Sequence, residues 1–562
     1  MKPLPVIEAG GSQTAVERFA ATHDRGLARD TDTYVALMPA SPPGPGQQYA
    51  FEVDLDACSG CKACVVACHN RNGLDEGELW RQVGLLLGED AGRPYLQHVT
   101  AACHHCVEPA CMDGCPVDAY QKDPHTGIVR HLDEVCIGCQ YCTLTCPYEV
   151  PQYNSRRGIV RKCDMCSDRL TAGEPPACAA ACPQQAIRIR VVDEAEAVQA
   201  AETGSFLPTA PDPRVTIPTT VYTSRRPFPR TVRAADHDQP RMQHAHWSLI
   251  VMLVLTQLSV GTFWIQAAVE AGWLHAAVGT IPDAVGTDGK GDVTAVSTLS
   301  RTFAWLCGGV ALTASVFHLG RPWRAYRALR GLGHSWLSRE ILAFGVFAVC
   351  ATFYAVAPGA GLGIPRWLLR GTTLVSGLAG VCCSILIYHR AGRPLWHWTH
   401  ATWRFVGTMV VLGLAANVLL AVSNADRSAD LRTVPGIARM LIVVTLLKLA
   451  GELAPLRHVR GRRPVELKQT ARLLVGPLLR VLWARIALGF LGGVWFPLLL
   501  LSTRSAESFR TDQPIAVLCG GAAFACALLG EGIERYLFFC AAAGRRMPGL
   551  LQTASSFGHR GK

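Results

Sequence analysis

Sixteen cysteines crowded between Cys58 and Cys182 constrain this 562-residue chain more than any other feature. They form four groups of four: Cys58, Cys61, Cys64 and Cys68; Cys103, Cys106, Cys111 and Cys115; Cys136, Cys139, Cys142 and Cys146; and Cys163, Cys166, Cys178 and Cys182. The first and third groups read CxxCxxCxxxC. Pro116, Pro147 and Pro183 follow the last three, and an insertion separates Cys166 from Cys178. A cubane [4Fe–4S] cluster needs four thiolates at tetrahedral corners. CxxCxxC lets one tight loop supply three, and in two-cluster ferredoxins the distal Cys before Pro serves the other cluster. Structural zinc takes two CxxC pairs from two knuckles rather than triplets from one loop. Disulfides require an oxidising compartment. The triplets therefore predict four [4Fe–4S] clusters in two pseudo-symmetric ferredoxin-like units, one nested within the other. Strand-like stretches such as 128–131 and 186–192 are too short for a large conventional core, so bound clusters supply much of the domain's stability.

The remaining seven cysteines (Cys307, Cys350, Cys382, Cys383, Cys519, Cys526 and Cys540) are scattered and lack ligand spacing, which predicts buried small hydrophobes. They lie in a different kind of sequence. Hydrophobic residues make up 49% of the chain and charged ones 17%, and the apolar excess lies in the second half. Eight apolar runs, 247–269, 302–319, 338–357, 367–388, 403–422, 435–454, 482–502 and 514–541, approach the ~20 residues needed to cross a bilayer core as helix. The predicted fold is an α+β double ferredoxin-like iron–sulfur domain followed by an all-α polytopic membrane domain of eight transmembrane helices. Its divisions are an N-terminal extension (1–50), the four-cluster domain (51–192), a Pro-rich, largely extended linker (193–245), the membrane anchor (246–545) and a cytoplasmic tail (546–562). Residues 1–50 show no secretory apolar core and no consecutive Arg pair, and read as an extension or docking arm.

Basic residues alternate between the connecting segments. One set carries nineteen: Arg321, Arg324, Arg327, Arg330, Arg339, Arg390, Arg393, Arg404, Arg457, Arg460, Arg462, Arg463, Lys468, Arg472, Arg480, Arg545, Arg546, Arg560 and Lys562. The other carries six: Lys290, Arg366, Arg427, Arg432, Arg504 and Arg510. This bias predicts both termini, and with them the cluster domain, on the cytoplasmic side of the inner membrane. A domain that folds around clusters cannot be threaded through a translocon, which points the same way. The net charge of +11 then reflects membrane topology and no nucleic-acid partner is expected. Haem is not expected either, because His318, His389, His397 and His400 fall near helix ends or in loops.

The cysteine domain resembles the electron-transfer subunit of dimethyl-sulfoxide-reductase-type enzymes, a branch of the complex iron–sulfur molybdoenzymes. The resemblance is carried by CHHCVEPACMDGCPVDAY (103–120) and CIGCQYCTLTCPY (136–148). The membrane half is similar to that family's eight-helix anchor through HLGRPWRAYRAL (318–329), SWLSREI (335–341), YHRAGRPLW (388–396) and EGIERYLFF (531–539). The resemblance implies a separate molybdopterin-containing catalytic subunit, a wire of clusters, and exchange of electrons with the quinone pool of the lipid membrane. It also implies crossed ligation: Cys58, Cys61 and Cys64 with Cys182; Cys163, Cys166 and Cys178 with Cys68; Cys103, Cys106 and Cys111 with Cys146; Cys136, Cys139 and Cys142 with Cys115. Nitrate-reductase relatives replace one third-group cysteine by Trp; Cys139 stands there in this chain, so four four-iron clusters are implied.

His318 and Glu340 coincide with anchor positions implicated at the family's quinol site, and the short connection between them is expected to bring them together. Ser338 reads as an N-cap before Glu340. Gln257, Glu531 and Arg535 are further candidates on helices able to line the same pocket. Two other functions remain open: a passive anchor carrying a redox wire for another oxidoreductase such as a hydrogenase, and a cluster-driven transporter. Few polar residues interrupt the apolar runs (Gln257, Asn417, Lys448, Glu452 and Glu531), which weighs against the transporter.

Overall fold

The computed structural model describes residues 36–271, 295–356, 364–424, 433–460, 467–502 and 513–549; most of the expected N-terminal extension and C-terminal tail lie outside these residues. In the first part of the chain the cysteine loops alternate with short strands. Gln47–Asp54 (β1) pairs antiparallel with Ile187–Asp193 (β8) and parallel with Val221–Thr223 (β9). Gln82–Asp90 (β2) and Arg93–Ala101 (β3) form a hairpin that Arg233–Ala234 (β10) extends. Tyr120–Lys122 (β4) with Val129–His131 (β5), and Gln152–Asn154 (β6) with Ile159–Arg161 (β7), are three-residue ladders. The apolar core around them includes many of the cysteines themselves, among them Cys64, Cys68, Cys103, Cys106, Cys163 and Cys178.

The segment expected to be an extended linker does more than span. Glu194–Glu202 is helical, and β9 and β10 complete two sheets. Its prolines stop it from forming long elements, yet its non-proline stretches still have N–H groups free to satisfy exposed sheet edges.

Eight long helices follow: Trp247–Glu270 (α1), Ala295–Val316 (α2), Trp336–Val356 (α3), Arg366–Arg390 (α4), Trp398–Ser423 (α5), Val434–Leu453 (α6), Leu479–Ser502 (α7) and Gln513–Cys540 (α8). Seven of them are long and apolar enough to cross a bilayer. The helix α2 has the length, 22 residues, but is not among the seven; buried Arg301 and the pair Gly308–Gly309 dilute its apolar character. It also begins before the run expected at 302–319, because polar Ser297–Ser300 continue the helix beyond the apolar stretch.

Small residues let these helices approach closely. A Cβ on Gly261 of α1 would collide with the Met409 carbonyl of α5, and one on Gly413 of α5 would stand 2.5 Å from the Gly261 carbonyl carbon. Helices in lipid gain little from hydrophobic exclusion, so such backbone contact is a main source of packing. In α7 the turn Leu491–Trp495 widens to a π-helix. Pro497 has no N–H for its helical acceptor, and Gly492 and Gly493 lie against α8 and α6, where added Cβ atoms would meet Ala527 and Thr445.

Candidate electron-transfer centres and membrane site

The crossed cysteine sets lie together. One cavity is lined by Cys58, Cys61, Cys64 and Cys182 (site I). Another is lined by Cys103, Cys106, Cys111 and Cys146 (site III). A third is lined by Cys115, Cys136, Cys139 and Cys142 (site IV). Cys68 interacts electrostatically with Cys166, Cys178 and Cys163, the remaining set (site II). These sets fit clusters better than single ions. Zinc holds thiolates about 2.3 Å from one point, whereas among the described residues no three Cys, His, Asp or Glu side chains converge to hold one ion. The thiols surround cavities instead.

Local backbone geometry prepares these loops for sulfur. Gly138 N–H lies 3.4 Å from Cys136 Sγ, Met165 N–H 3.4 Å from Cys163 Sγ, Ala119 N–H 3.2 Å from Cys115 Sγ and Ala186 N–H 3.3 Å from Cys182 Sγ. Lys62, Gln140 and Cys166 adopt left-handed backbone conformations just before the helical turns at Ala63, Tyr141 and Ser167. Burial pushes the Cys68 thiol up to about 12, Cys115 to about 11 and Cys146 to about 12. Unliganded, these groups stay protonated; a bound metal cation would deprotonate them. Cys136 departs from this pattern: burial opposes ionisation, but His131 beside it, paired to Asp133 at 2.8 Å, draws its pKa below the ordinary value.

The sites follow one another through shared neighbours. Cys64 of site I senses Cys178 of site II, and Cys163 of site II senses Cys103 of site III. Tyr120 stands among Cys111 of site III and Cys142 and Cys115 of site IV. Site I has an exposed member, Cys61. Site IV is clasped by the connection between α2 and α3. There Arg321 N–H donates to Ile137 O at 3.0 Å, Gly331 N–H to Pro116 O at 3.0 Å and Ser335 Oγ to Gly114 O at 2.8 Å. Gly320 touches Gly158 so closely that a Cβ would collide with the Gly158 carbonyl. Tyr141, between two site IV cysteines, buries its ring in the core of the helical bundle and donates to Ile387 O at 3.1 Å.

The five membrane candidates fall into two neighbourhoods. His318 lies two residues from Gly320 and near His246. Glu340 is buried and accepts a hydrogen bond from Ser384 of α4; Tyr141 and Tyr388 lie within its electrostatic reach. Both residues flank the site IV loops, but no hydrogen bond or ion pair joins them among the described residues. Ser338 is not an N-cap: α3 begins at Trp336 and Ser338 Oγ turns to Pro116 O at 3.5 Å, because the helix end is buried against the cysteine domain and its side chains satisfy that domain's carbonyls.

Gln257, Glu531 and Arg535 join a larger ionic cluster. Arg535 Nη2 donates to Gln257 Oε1 at 2.8 Å and to Thr408 at 3.2 Å, while Thr408 donates to Glu531 at 2.6 Å. Lys448 and Arg485 each meet Glu531 at 2.8 Å and also pair with Glu452; Arg404 meets Glu534 at 2.5 Å. All seven charged groups are buried. The apparent scarcity of charge within the apolar runs is therefore corrected. Arg404, counted above as a connecting-segment charge, lies inside α5, and Arg485 lies within α7. The charged groups sit in the second turns of α5 and α7 and within the last two to three turns of α6 and α8, toward one end of these helices, and Gln257 reaches Arg535 from the middle of α1. A lone basic residue within an apolar run, as at Arg485, was the available signal.

Comparison with known proteins agrees with this division. Residues 95–192 match the 4Fe-4S dicluster domain, and residues 242–540 match the DMSO reductase anchor subunit (DmsC). The chain belongs to the dimethyl sulfoxide reductase family. It joins that family's iron–sulfur subunit and its anchor in one polypeptide. Over 157 residues it is 36% identical to the B subunit of anaerobic dimethyl sulfoxide reductase from Haemophilus influenzae, covering 26% of this chain and 76% of the relative. It is 39% identical over 152 residues to thiosulfate reductase electron transfer subunit PhsB of Salmonella typhi, covering 26% and 79%. It is 35% identical over 173 residues to hydrogenase-2 operon protein HybA of Escherichia coli, covering 26% and 52%. The chain is thus a multi-pass membrane protein with an iron–sulfur electron-transfer domain.

Proposed function

We propose that this chain passes electrons between a membrane quinone/quinol pool and a separate molybdopterin-containing catalytic subunit through four [4Fe–4S] clusters at sites I to IV. The observation that carries the reading is the seat of Tyr141: its neighbours Cys139 and Cys142 line site IV, while its ring lies among the bundle helices near Glu340. Each cluster, when bound, exchanges one electron. The chain's own residues supply the rest. The cysteine loops orient sulfur, the clasp of residues 320–335 holds site IV at the membrane face, and His318 and Glu340 receive the two protons that leave with two electrons when a quinol is oxidised. Gln257 and Arg535, the latter sharing Tyr388 with Glu340 as an electrostatic neighbour, orient the quinone ring, with Glu531 behind them. Exposed Cys61 puts site I where a catalytic subunit could dock.

Iron in the pure protein is expected to approach about sixteen atoms per chain, four at each of four sites, and quinol added to the detergent-solubilised chain should bleach the cluster absorbance. Iron near half that value, or stoichiometric zinc, would sink the four-cluster assignment. Full iron without quinol reduction would favour the second reading, a passive anchor whose wire serves a hydrogenase, which the likeness to HybA supports.

The basic-residue bias supports a cytoplasmic cluster domain and cytoplasmic termini, with α2 as an eighth span of the anchor. Reporter fusions after Lys562 and within 455–480 should read cytoplasmic, and one within 270–300 external. The reverse pattern would put the clusters outside.

A further inference from the structure

Two side chains in the cysteine domain are buried cations without a carboxylate. Lys162 and Arg81 are both buried, and among the described residues neither forms an ion pair with Asp or Glu. Lys162 Nζ donates to Cys163 O at 2.8 Å and to Val129 O, and lies 3.6 Å from Cys103 Sγ. Arg81 rests over the Phe51 ring, 4.5 Å from its centroid, and donates through Nη1 to Thr100 at 3.2 Å. Its Nε and Nη2 find no hydrogen-bond partner. A buried charge survives only with compensation. The available anions are the cysteine sulfurs, and each cation is shared between two sites. Lys162 faces Cys103 and Cys111 of site III and Cys163 of site II. Arg81 faces Cys64 of site I and Cys68, Cys163 and Cys178 of site II.

We propose that Lys162 and Arg81 are fixed cations that raise the reduction potentials of adjoining clusters in pairs, Lys162 at sites II and III and Arg81 at sites I and II. The inference rests on the cluster reading above. Reduction adds one negative charge to a cluster, and a nearby cation in a low-dielectric interior stabilises that added charge. Site II faces both cations and is raised most, while sites I and III each gain from one. Site IV, beside neither residue, is left outside the effect.

The test is an EPR-monitored redox titration of the full-length, detergent-solubilised chain, with iron measured on the same samples. Lys162→Met should move two midpoints negative, lowering the reduced-to-oxidised ratio at fixed potential at least tenfold, equivalent to 59 mV for a one-electron couple. Arg81→Met should move two, one of them common to both variants, and Lys162→Arg should leave all near their original values. Should Lys162→Met lose iron, Lys162→Gln, which retains an amide donor for the two carbonyls without the charge, carries the same expectation. Four unchanged midpoints at full iron, or four shifting together, would overturn the proposal. Low iron or missing signals in the unsubstituted chain would instead count against the cluster reading itself.

Discussion

Glu531→Ala is expected to destabilise the membrane domain by about 3–5 kcal/mol, the cost of leaving a buried ion-pair partner uncompensated. The carboxylate carries more than one bond: Lys448, Arg485 and Thr408 all converge on it. Removing it leaves four buried cations, Arg404, Lys448, Arg485 and Arg535, facing two carboxylates, Glu452 and Glu534. The measurement is the apparent unfolding midpoint in detergent at a fixed scan rate. A double variant, Lys448→Met with Glu531→Met, should recover most of the loss, because exchanging a buried pair for apolar side chains is often close to neutral. A single variant as stable as the parent would show that the network does not hold α5, α6, α7 and α8 together, and would leave Glu531 with its quinone role alone.

Glu340→Gln and His318→Ala are each expected to slow quinol-driven cluster reduction tenfold or more, about 1.4 kcal/mol in the barrier, while iron content stays unchanged. Glu340→Gln keeps the shape and a partner for Ser384 but loses the ability to take a proton as a carboxylate does. His318→Ala removes a base beside the clasp that holds site IV. Arg535 offers a useful contrast: Arg535→Lys keeps the charge but loses the flat guanidinium that lies 4.0 Å over Phe405 and donates to Gln257. Stopped-flow reduction by a quinol analogue reads all three. Unchanged rates for both Glu340→Gln and His318→Ala would move proton handling elsewhere.

Cysteine spacing alone determined the iron–sulfur class, because a cubane accepts few loop lengths and this chain repeats a suitable one. Apolar run length determined a helical membrane half for an equally simple reason: in lipid the backbone must satisfy itself. Periodicity and spacing are local, and both survive in a linear reading. What folding alone decided is less local. The Pro-rich stretch became part of two sheets because exposed strand edges lay within its reach. Residues such as Arg404 and Arg485 became members of a buried ionic cluster because helices distant in sequence deliver Glu534, Glu452 and Glu531 to them. Arg81 carries no mark in its sequence surroundings, whereas Lys162 at least precedes a cysteine. Both became cluster neighbours only when nested loops closed around them. His318 and Glu340 are close along the chain, yet the connection between them was drawn over the site IV loops, leaving each with different company. Charge in a sequence is counted one residue at a time, but its cost and use depend on what the fold brings within a few ångströms.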